Sequence, residues 1–549
     1  MRVPALLLAL LPVLWVAGLA ACSKAPDAVA PVAVLAAAPA STARAAQIAH
    51  PAEGIAWKHA ASDVDVDAAF ALARSQQKPV FVYWGANWCP PCNQLKATLF
   101  NRQDFIERSR AFVPVYIDGD SPGAQKLGSR FKVRGYPTMV LFNADGAELT
   151  RLPGEVDAAQ YTQLLTLGMN AQRPLKAVLA DARSGGAGLS ANDWKLLAFY
   201  SWDTDQEQAV PAAQLPALLK QLAAACPADQ ADTATRLMLK AVVASTADLK
   251  PAVAPDAQAL PRLLKLLPDA AASRVQMDVL TNHAADLTRA LTAAKSAPRT
   301  VVVDAFNASL KALEADATLS RADRLTALNA RVELAKLDAA KNSNLPESLL
   351  GEVRAHAARV DREITDGYER QAVIPTAAYV LEQASLLDES RALLEANLVK
   401  SHSPYYLMSA LASNAKKRGD SAEALRWSEE AFNKSEGPAT RLQWGAGYLN
   451  MLVDLAPQDE ARIERAVQQL FKEAAAQPDA FFERSARSLQ RVGAKLQGWN
   501  EGGIHAAVLS RLQSQLAVVC AKLPTTDPQR AVCDGVLKPT NAKSGQKSA

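Results

Sequence analysis

Two cysteines separated by two prolines, in the stretch Trp88-Cys89-Pro90-Pro91-Cys92, constrain this chain more than any other feature. An apolar, β-rich run, Pro79 to Trp84 (PVFVYW), precedes them, and a helix-forming run, Asn93 to Phe100 (NQLKATLF), follows. That order predicts strand, turn and helix, with the first sulfur at the helix N-terminus. Unpaired backbone N–H groups and the helix dipole favour a thiolate there. The second sulfur lies one turn in, close enough to attack a mixed disulfide made by the first. A bare pair of this spacing is equally half of a zinc site. Zinc needs further ligands, yet no second Cys-x-x-Cys or His-x-His pair occurs and the six histidines are scattered. Redox chemistry is therefore the expectation, with no metal and no cofactor, since no Gly-rich phosphate loop follows any strand.

The ends place that chemistry. Arg2, an apolar core from Leu6 to Leu19, and the ending Leu19-Ala20-Ala21-Cys22 read as a cleaved export signal over 1–21. The Leu-Ala-Ala-Cys ending resembles the lipobox of bacterial lipoproteins. The resemblance implies cleavage before Cys22 and lipid attachment to it; an ordinary secretory signal with a chance cysteine is the alternative. A multiply acylated N-terminus anchors stably, and Ser23 after the cysteine favours the outer membrane in families that follow that sorting rule. Residues 22–52, nearly all Ala, Pro, Val, Ser and Thr, read as a tether too poor in large apolar side chains to build a core. A periplasmic, lipid-anchored protein is expected. The formal charge of +4 on 549 residues does not indicate nucleic acid. Cys520 and Cys533 flank a turn-rich stretch and are candidates for a structural disulfide. Their loop of about 14 residues would be worth roughly 3 kcal/mol. Cys226, at an expected helix end, reads as a buried free thiol.

Between 53 and 172 the predicted elements run helix (from Val66), strand (Pro79–Trp84), helix (Cys89–Phe100), short helix (from Asp104), strand (Phe112–Ile117) and helix (Ala124–Phe131). A strand (Met139–Phe142), a turn at Asp145-Gly146, a strand (Glu148–Leu152) and a helix (Ala158–Met169) complete it. This is the order of an α/β thioredoxin fold. Trp-Cys-Pro-Pro-Cys, Tyr116-Ile117-Asp118 and Val133-Arg134-Gly135-Tyr136-Pro137-Thr138 resemble the thioredoxin superfamily over about 115 residues. The Cys-Pro-Pro-Cys box is shared with tryparedoxins, and VRGYPT is similar to protein disulfide isomerases. The run from KPVFVYWGANWC onward resembles the C-terminal domain of bacterial inner-membrane thiol:disulfide interchange proteins. The resemblance implies Cys89 as nucleophile, Cys92 as resolving thiol, and a cis Pro137 facing Cys89. It also implies a docking surface for client strands formed with Trp88 and Tyr136, for which plain core packing is the alternative. One departure stands out. The superfamily's buried acid, six residues before the first cysteine, is replaced by Tyr83, and its lysine partner by Pro114. The proton acceptor for Cys92 stays open.

Pro90 and Pro91 remove two N–H donors that would otherwise solvate the Cys89 thiolate. That leans the couple towards a reductase or isomerase. After Arg173 the chain reads helical, in an irregular region over 173–370 and a region over 371–549 resembling tetratricopeptide repeats. The clearest such unit is Tyr406–Ala415, the turn Arg418-Gly419-Asp420, and Ser421–Phe432, with an upstream copy turning at Leu387-Asp388. Such an α-solenoid offers a surface for clients or partners, with a spacer or dimerisation module as the alternative. The whole reads as a tethered thiol–disulfide oxidoreductase that reduces client protein disulfides and is recharged by a membrane thiol donor. Its rivals are an isomerase, and a helical scaffold or chaperone whose redox domain is accessory.

Overall fold

The computed structural model describes residues 54–154, 157–202, 204–205, 208–247, 252–340 and 344–538. The expected signal, Cys22 and tether therefore lie outside the described residues. A five-stranded sheet is ordered β1-β3-β2-β4-β5, with β1 Lys58–His59, β2 Val80–Gly85, β3 Val113–Asp118, β4 Thr138–Phe142 and β5 Glu148–Leu152. β1, β3 and β2 are parallel, and β4 and β5 run antiparallel to their neighbours. Helices α1 Asp63–Gln76, α2 Pro90–Thr98, α3 Gln103–Arg108, α4 Ala124–Phe131 and α5 Ala158–Met169 complete the thioredoxin-like part. β1 was not foreseen; it is two residues long and both are exposed, so no apolar pattern announces it. α1 starts ahead of Val66 because Ser62 and Asp65 form a reciprocal capping box.

Every residue of β2 and β4 is buried, because helices cover both faces of the sheet. Alternate side chains build two different cores. Val80, Val82, Trp84, Val115 and Ile117 pack under α1 and α4. Phe81, Tyr83, Met139 and Leu141 pack under α2, α3 and α5, and this layer runs on without a break into Leu175, Trp194, Leu219 and Leu237. The sheet's second face is thus sealed jointly by its own helices and by the first helices beyond it.

From Leu175 to Gly535 all regular structure is helical among the described residues. Apolar cores succeed one another along it, over 238–334, 322–444 and 425–537. Helix Gly367–Gln383 turns into Leu387–Asn397, and Pro404–Arg418 into Ser421–Lys434. The turns hinge on Ser385 (φ 63°) and Gly419 (φ 81°), whose next residues each donate back to the carbonyl five positions earlier, Leu381 and Ala415. The upstream turn therefore sits at Ser385, ahead of the expected Leu387-Asp388, which lies in the first turn of the following helix.

One ion pair ties this region to the sheet's second core. The fully buried Arg236 binds both oxygens of Asp278 (2.9 and 2.6 Å), Gln276 Oε1 and the Ala198 carbonyl, beneath the ring of Phe199. Burial by itself would raise the Asp278 carboxyl, but the charge and hydrogen bonds of Arg236 outweigh it and hold the group below its ordinary range. Asp278→Ala, which strands the guanidinium, is expected to destabilise the fold by roughly 3–5 kcal/mol. Arg236→Met with Asp278→Leu together should lose much less; urea unfolding followed by tryptophan fluorescence compares the two.

A second titratable spot lies where the helices meet α2. His402 packs on Tyr368, and Lys96 Nζ sits 5.2 Å from the same ring. Burial, and then the charge of Lys96, pull the His402 imidazole from 6.5 down to about 4. The folded state therefore prefers neutral His402, and unfolding takes up a proton between those values. Stability is expected to fall as pH drops from about 6.5 towards 4, and His402→Gln should flatten that part of the curve. Thermal unfolding of both proteins across the window is the measurement.

Candidate redox site

α2 begins at the cysteine pair. Cys89 is its N-cap residue, with φ −66° and ψ 114°, and Pro90 and Pro91 open the helix. Proline suits these positions because its φ is preset and its missing N–H would have no intrahelical partner. Of the first three helical residues only Cys92 keeps an N–H, and it donates to Cys89 Sγ at 3.2 Å. The two sulfurs are joined, with Cα atoms 5.2 Å apart. The Asn93 side-chain amide donates to the carbonyls of Asn87 (2.7 Å) and Cys89 (2.9 Å), which pins the turn. The Tyr136–Pro137 peptide is cis. Trp88 and Tyr136 pack on the small cluster formed by Ala86, Cys89 and Cys92.

Both cysteines are buried, Cys89 to 2 % and Cys92 to 0 % exposure. The residues that flank them are in turn packed against helices from far along the chain. The Trp88 indole donates to Thr440 Oγ1 at 2.7 Å, meets Trp444 edge-on at 4.9 Å and stacks on Tyr406 at 5.9 Å. Gln371 donates to the Trp88 carbonyl at 3.1 Å. The Arg484 guanidinium lies 5.3 Å from the Trp88 ring and 4.9 Å from that of Tyr136. Asp120, just past β3, accepts from the Thr440 backbone N–H (2.7 Å), the Thr440 hydroxyl (2.6 Å) and Arg484 Nη2 (3.0 Å). The residues expected to form an open docking surface, Trp88 and Tyr136, are thus in contact with the chain's own helices. Thr440, Trp444, Arg484, Gln371 and Asp120 escaped the sequence reading, since nothing local marks a contact across more than 280 residues.

The departure at position 83 has a structural counterpart. Tyr83 is sandwiched between Tyr116 (5.3 Å) and Phe100 (4.9 Å), and its buried hydroxyl meets no partner among the described residues. Burial, then the nearby Asp118, drives its ionisation far up, so it keeps its proton and serves as no base. Asp118, opposite Gly85 in the register of β2 and β3, is raised by burial, against the hydrogen bond it accepts from the Asp120 backbone N–H. Burial lowers Lys96, one turn beyond Cys92, to about 8. Both groups are shifted towards neutrality at the redox end of the sheet.

Elsewhere, Cys520 and Cys533 are disulfide-bonded with Cα atoms 5.6 Å apart. Cys226 is free and buried, at the end of helix Leu215–Ala225, and burial pushes its thiol to about 11. His356 pairs with Glu314 and His505 with Glu460, while Lys416, Lys417 and Arg418 all pair with carboxylates. Among the described residues no group of three His, Cys, Asp or Glu side chains could hold a metal ion. No described helix is long and apolar enough to cross a membrane.

Residues 66–168 match the family model of a thioredoxin-like domain. The chain is 31% identical over 109 residues to the thiol:disulfide interchange protein DsbD of Pseudomonas fluorescens, covering 19% of each protein. It is 32% identical over 99 residues to the DsbD of Yersinia pestis, covering 17% of this chain and 16% of that protein. The chain thus spans about a fifth of the length of the curated relatives it matches. Among solved structures, a thioredoxin from Thermus thermophilus is 29% identical and covers 20% of this chain and 83% of that one, with a TM-score of 0.18. Residues 66–168 are a thioredoxin-like domain carrying a Cys-x-x-Cys disulfide, with weak similarity to DsbD and a large all-helical region after it.

Proposed function

We propose that the protein is a thiol–disulfide oxidoreductase that reduces disulfides of client proteins in the periplasm, tethered to the membrane through Cys22. The observation that carries the reading is the Cys89–Cys92 disulfide at the start of α2, with Pro90 and Pro91 between the sulfurs. In the reduced protein the Cys89 thiolate attacks a client disulfide, forming a mixed disulfide and expelling one client thiolate, which takes up a proton. Cys92, as thiolate, then attacks Cys89 Sγ, forming Cys89–Cys92 and releasing the second client thiolate. The client gains two electrons, and a thiol donor at the membrane returns them to the pair. The direction rests on the donor count: among the described residues a single N–H, that of Cys92, reaches the Cys89 sulfur. A poorly solvated thiolate makes a less oxidising couple. The name borne by the curated relatives, thiol:disulfide interchange protein, fits exchange with protein thiols.

The helical region is proposed as a TPR-like stack that serves client or partner binding. Ser385 and Gly419 occupy equivalent turn positions (419 − 385 = 34), which is the tetratricopeptide period. The burial of both sulfurs favours one rival, a helical scaffold whose redox pair senses or tethers.

Cys92→Ala separates the two. Expressed in cells and quenched with acid, it should accumulate mixed disulfides with client proteins, and Cys89→Ser should accumulate none. Purified reduced protein should reduce insulin disulfides, with loss of about a hundredfold or more in rate for Cys89→Ser. A Cys92→Ala protein without adducts would favour the scaffold.

A further inference from the structure

Helices from far along the chain pack on Trp88 and Tyr136, the residues beside Cys89. Exchange needs a third sulfur in line with the disulfide, yet Cys89 and Cys92 have 2 % and 0 % of their surface free. The cover is built from Gln371, Tyr406, Thr440, Trp444 and Arg484, all on helices between Gly367 and Trp499. Gln371 donates to the Trp88 carbonyl, and the Thr440 hydroxyl accepts from the Trp88 indole. We infer that these helices form an intramolecular cover over the redox site, latched by Asp120, Thr440 and Arg484, and that exchange with a macromolecule requires the latch to open. The inference concerns access to the site and rests on the proposed exchange chemistry only for its purpose.

The make-up of the contact supports a separable cover. The sheet's second face shares one continuous apolar core with helices from Leu175 to Leu237, so parting there would expose a large dry surface. The contact over the cysteines is different. It is mixed: the Trp88 ring packs on the helices beside Trp444 and Tyr406, next to a carboxylate, a hydroxyl and a guanidinium, of which Asp120 and Arg484 are 13 % and 12 % exposed. Arg484 Nε and Nη1 are buried with no acceptor among the described residues, and a donor left so is costly. The aromatic faces of Trp88 and Tyr136 offset part of that. Polar contacts of this kind mark intrachain interfaces that move, whereas large apolar ones do not. On each side of the active-site turn the contact already gapes. A cavity of about 490 Å³ is lined by Pro90, Pro91, Pro375, Tyr379 and Tyr406, and one of about 410 Å³ by Pro91, Gln94, Gly154, Arg274 and Ser320.

The test uses full-length Cys92→Ala protein, which keeps Cys89 as a free thiol, and two alkylating probes, N-ethylmaleimide and a polyethylene-glycol maleimide. Consumption of the Cys89 peptide is followed by mass spectrometry and referred to a free thiol. The bulky probe should lag well behind the small one. Adding Arg484→Ala and Thr440→Val, which remove charge-assisted bonds of the latch, should speed it by roughly ten- to a hundredfold. Hydrogen exchange at 438–445 should rise with it. Equal relative rates for the two probes in the unlatched and latched proteins overturn the inference, as does a bulky-probe rate that stays fixed while exchange at 438–445 rises. Should the double variant lose its helical signal, Gln371→Ala, which removes one bond to the Trp88 carbonyl, is read in its place. Alkylation needs no client, so the two readings fail separately. A gated Cys89 in a chain that traps no client removes the reductase and keeps the cover; trapped clients with ungated alkylation do the reverse.

Discussion

The Asp120 carboxylate joins the thioredoxin-like part to helices far along the chain. It sits two residues past the end of β3 and accepts three hydrogen bonds from residues 320 and more positions later, two from Thr440 and one from Arg484. The close approach has a backbone requirement. A Cβ on Gly437 would fall 2.5 Å from Asp120 Cγ, and Gly437 has φ +89°, so glycine both makes the turn and admits the carboxylate. Thr440 then passes the constraint on, since its hydroxyl donates to Asp120 and accepts from the Trp88 indole. Asp120 thereby fixes the ring beside Cys89 through one intermediate side chain.

The thioredoxin-like part is held by the helices at two places of opposite character. Under α2 and α5 its core is shared, and an apolar layer of that size resists separation because water must wet both sides. Over α2 the contact is aromatic and charged, with Gln94 adding bonds to Ser320 and Asp323, and Gln125 receiving the Arg484 backbone N–H. Hydrogen bonds of this sort exchange for water at small net cost. One attachment is therefore structural and the other reversible, and the reversible one lies on the sulfurs.

How legible this was depends on the range of the interaction. β2, β3 and β4 were readable because unbroken runs such as VFVYW admit little but a strand buried on both faces. The Cys89 N-cap and the proline start of α2 follow from local stereochemistry, and Gly419 is a helix C-terminus on its own φ requirement. β1 escaped because pairing with β3, not its own pattern, makes it a strand. Ser385 escaped because a serine seldom takes positive φ, and the sequence shows no glycine there. The covering of Trp88 was invisible for a different reason. Thr440 and Arg484 lie on helices whose periodicity reports burial, and burial against a neighbouring helix looks the same as burial against a redox site.

Closure also bears on the nucleophile. A thiolate is the reactive form, and loss of hydration disfavours it; burial, with the nearby Asp229, carries Cys226 to about 11. At Cys89 the prolines have withdrawn two donors and leave the Cys92 N–H as the local compensation. Arg484, the cation over the Trp88 and Tyr136 rings, is paired with Asp120 at 3.0 Å. Opening the cover would therefore return both access and water to a reduced Cys89. The same movement that admits a partner thus returns water to the sulfur, which ties access and solvation to the latch without any group at the site that senses the partner directly.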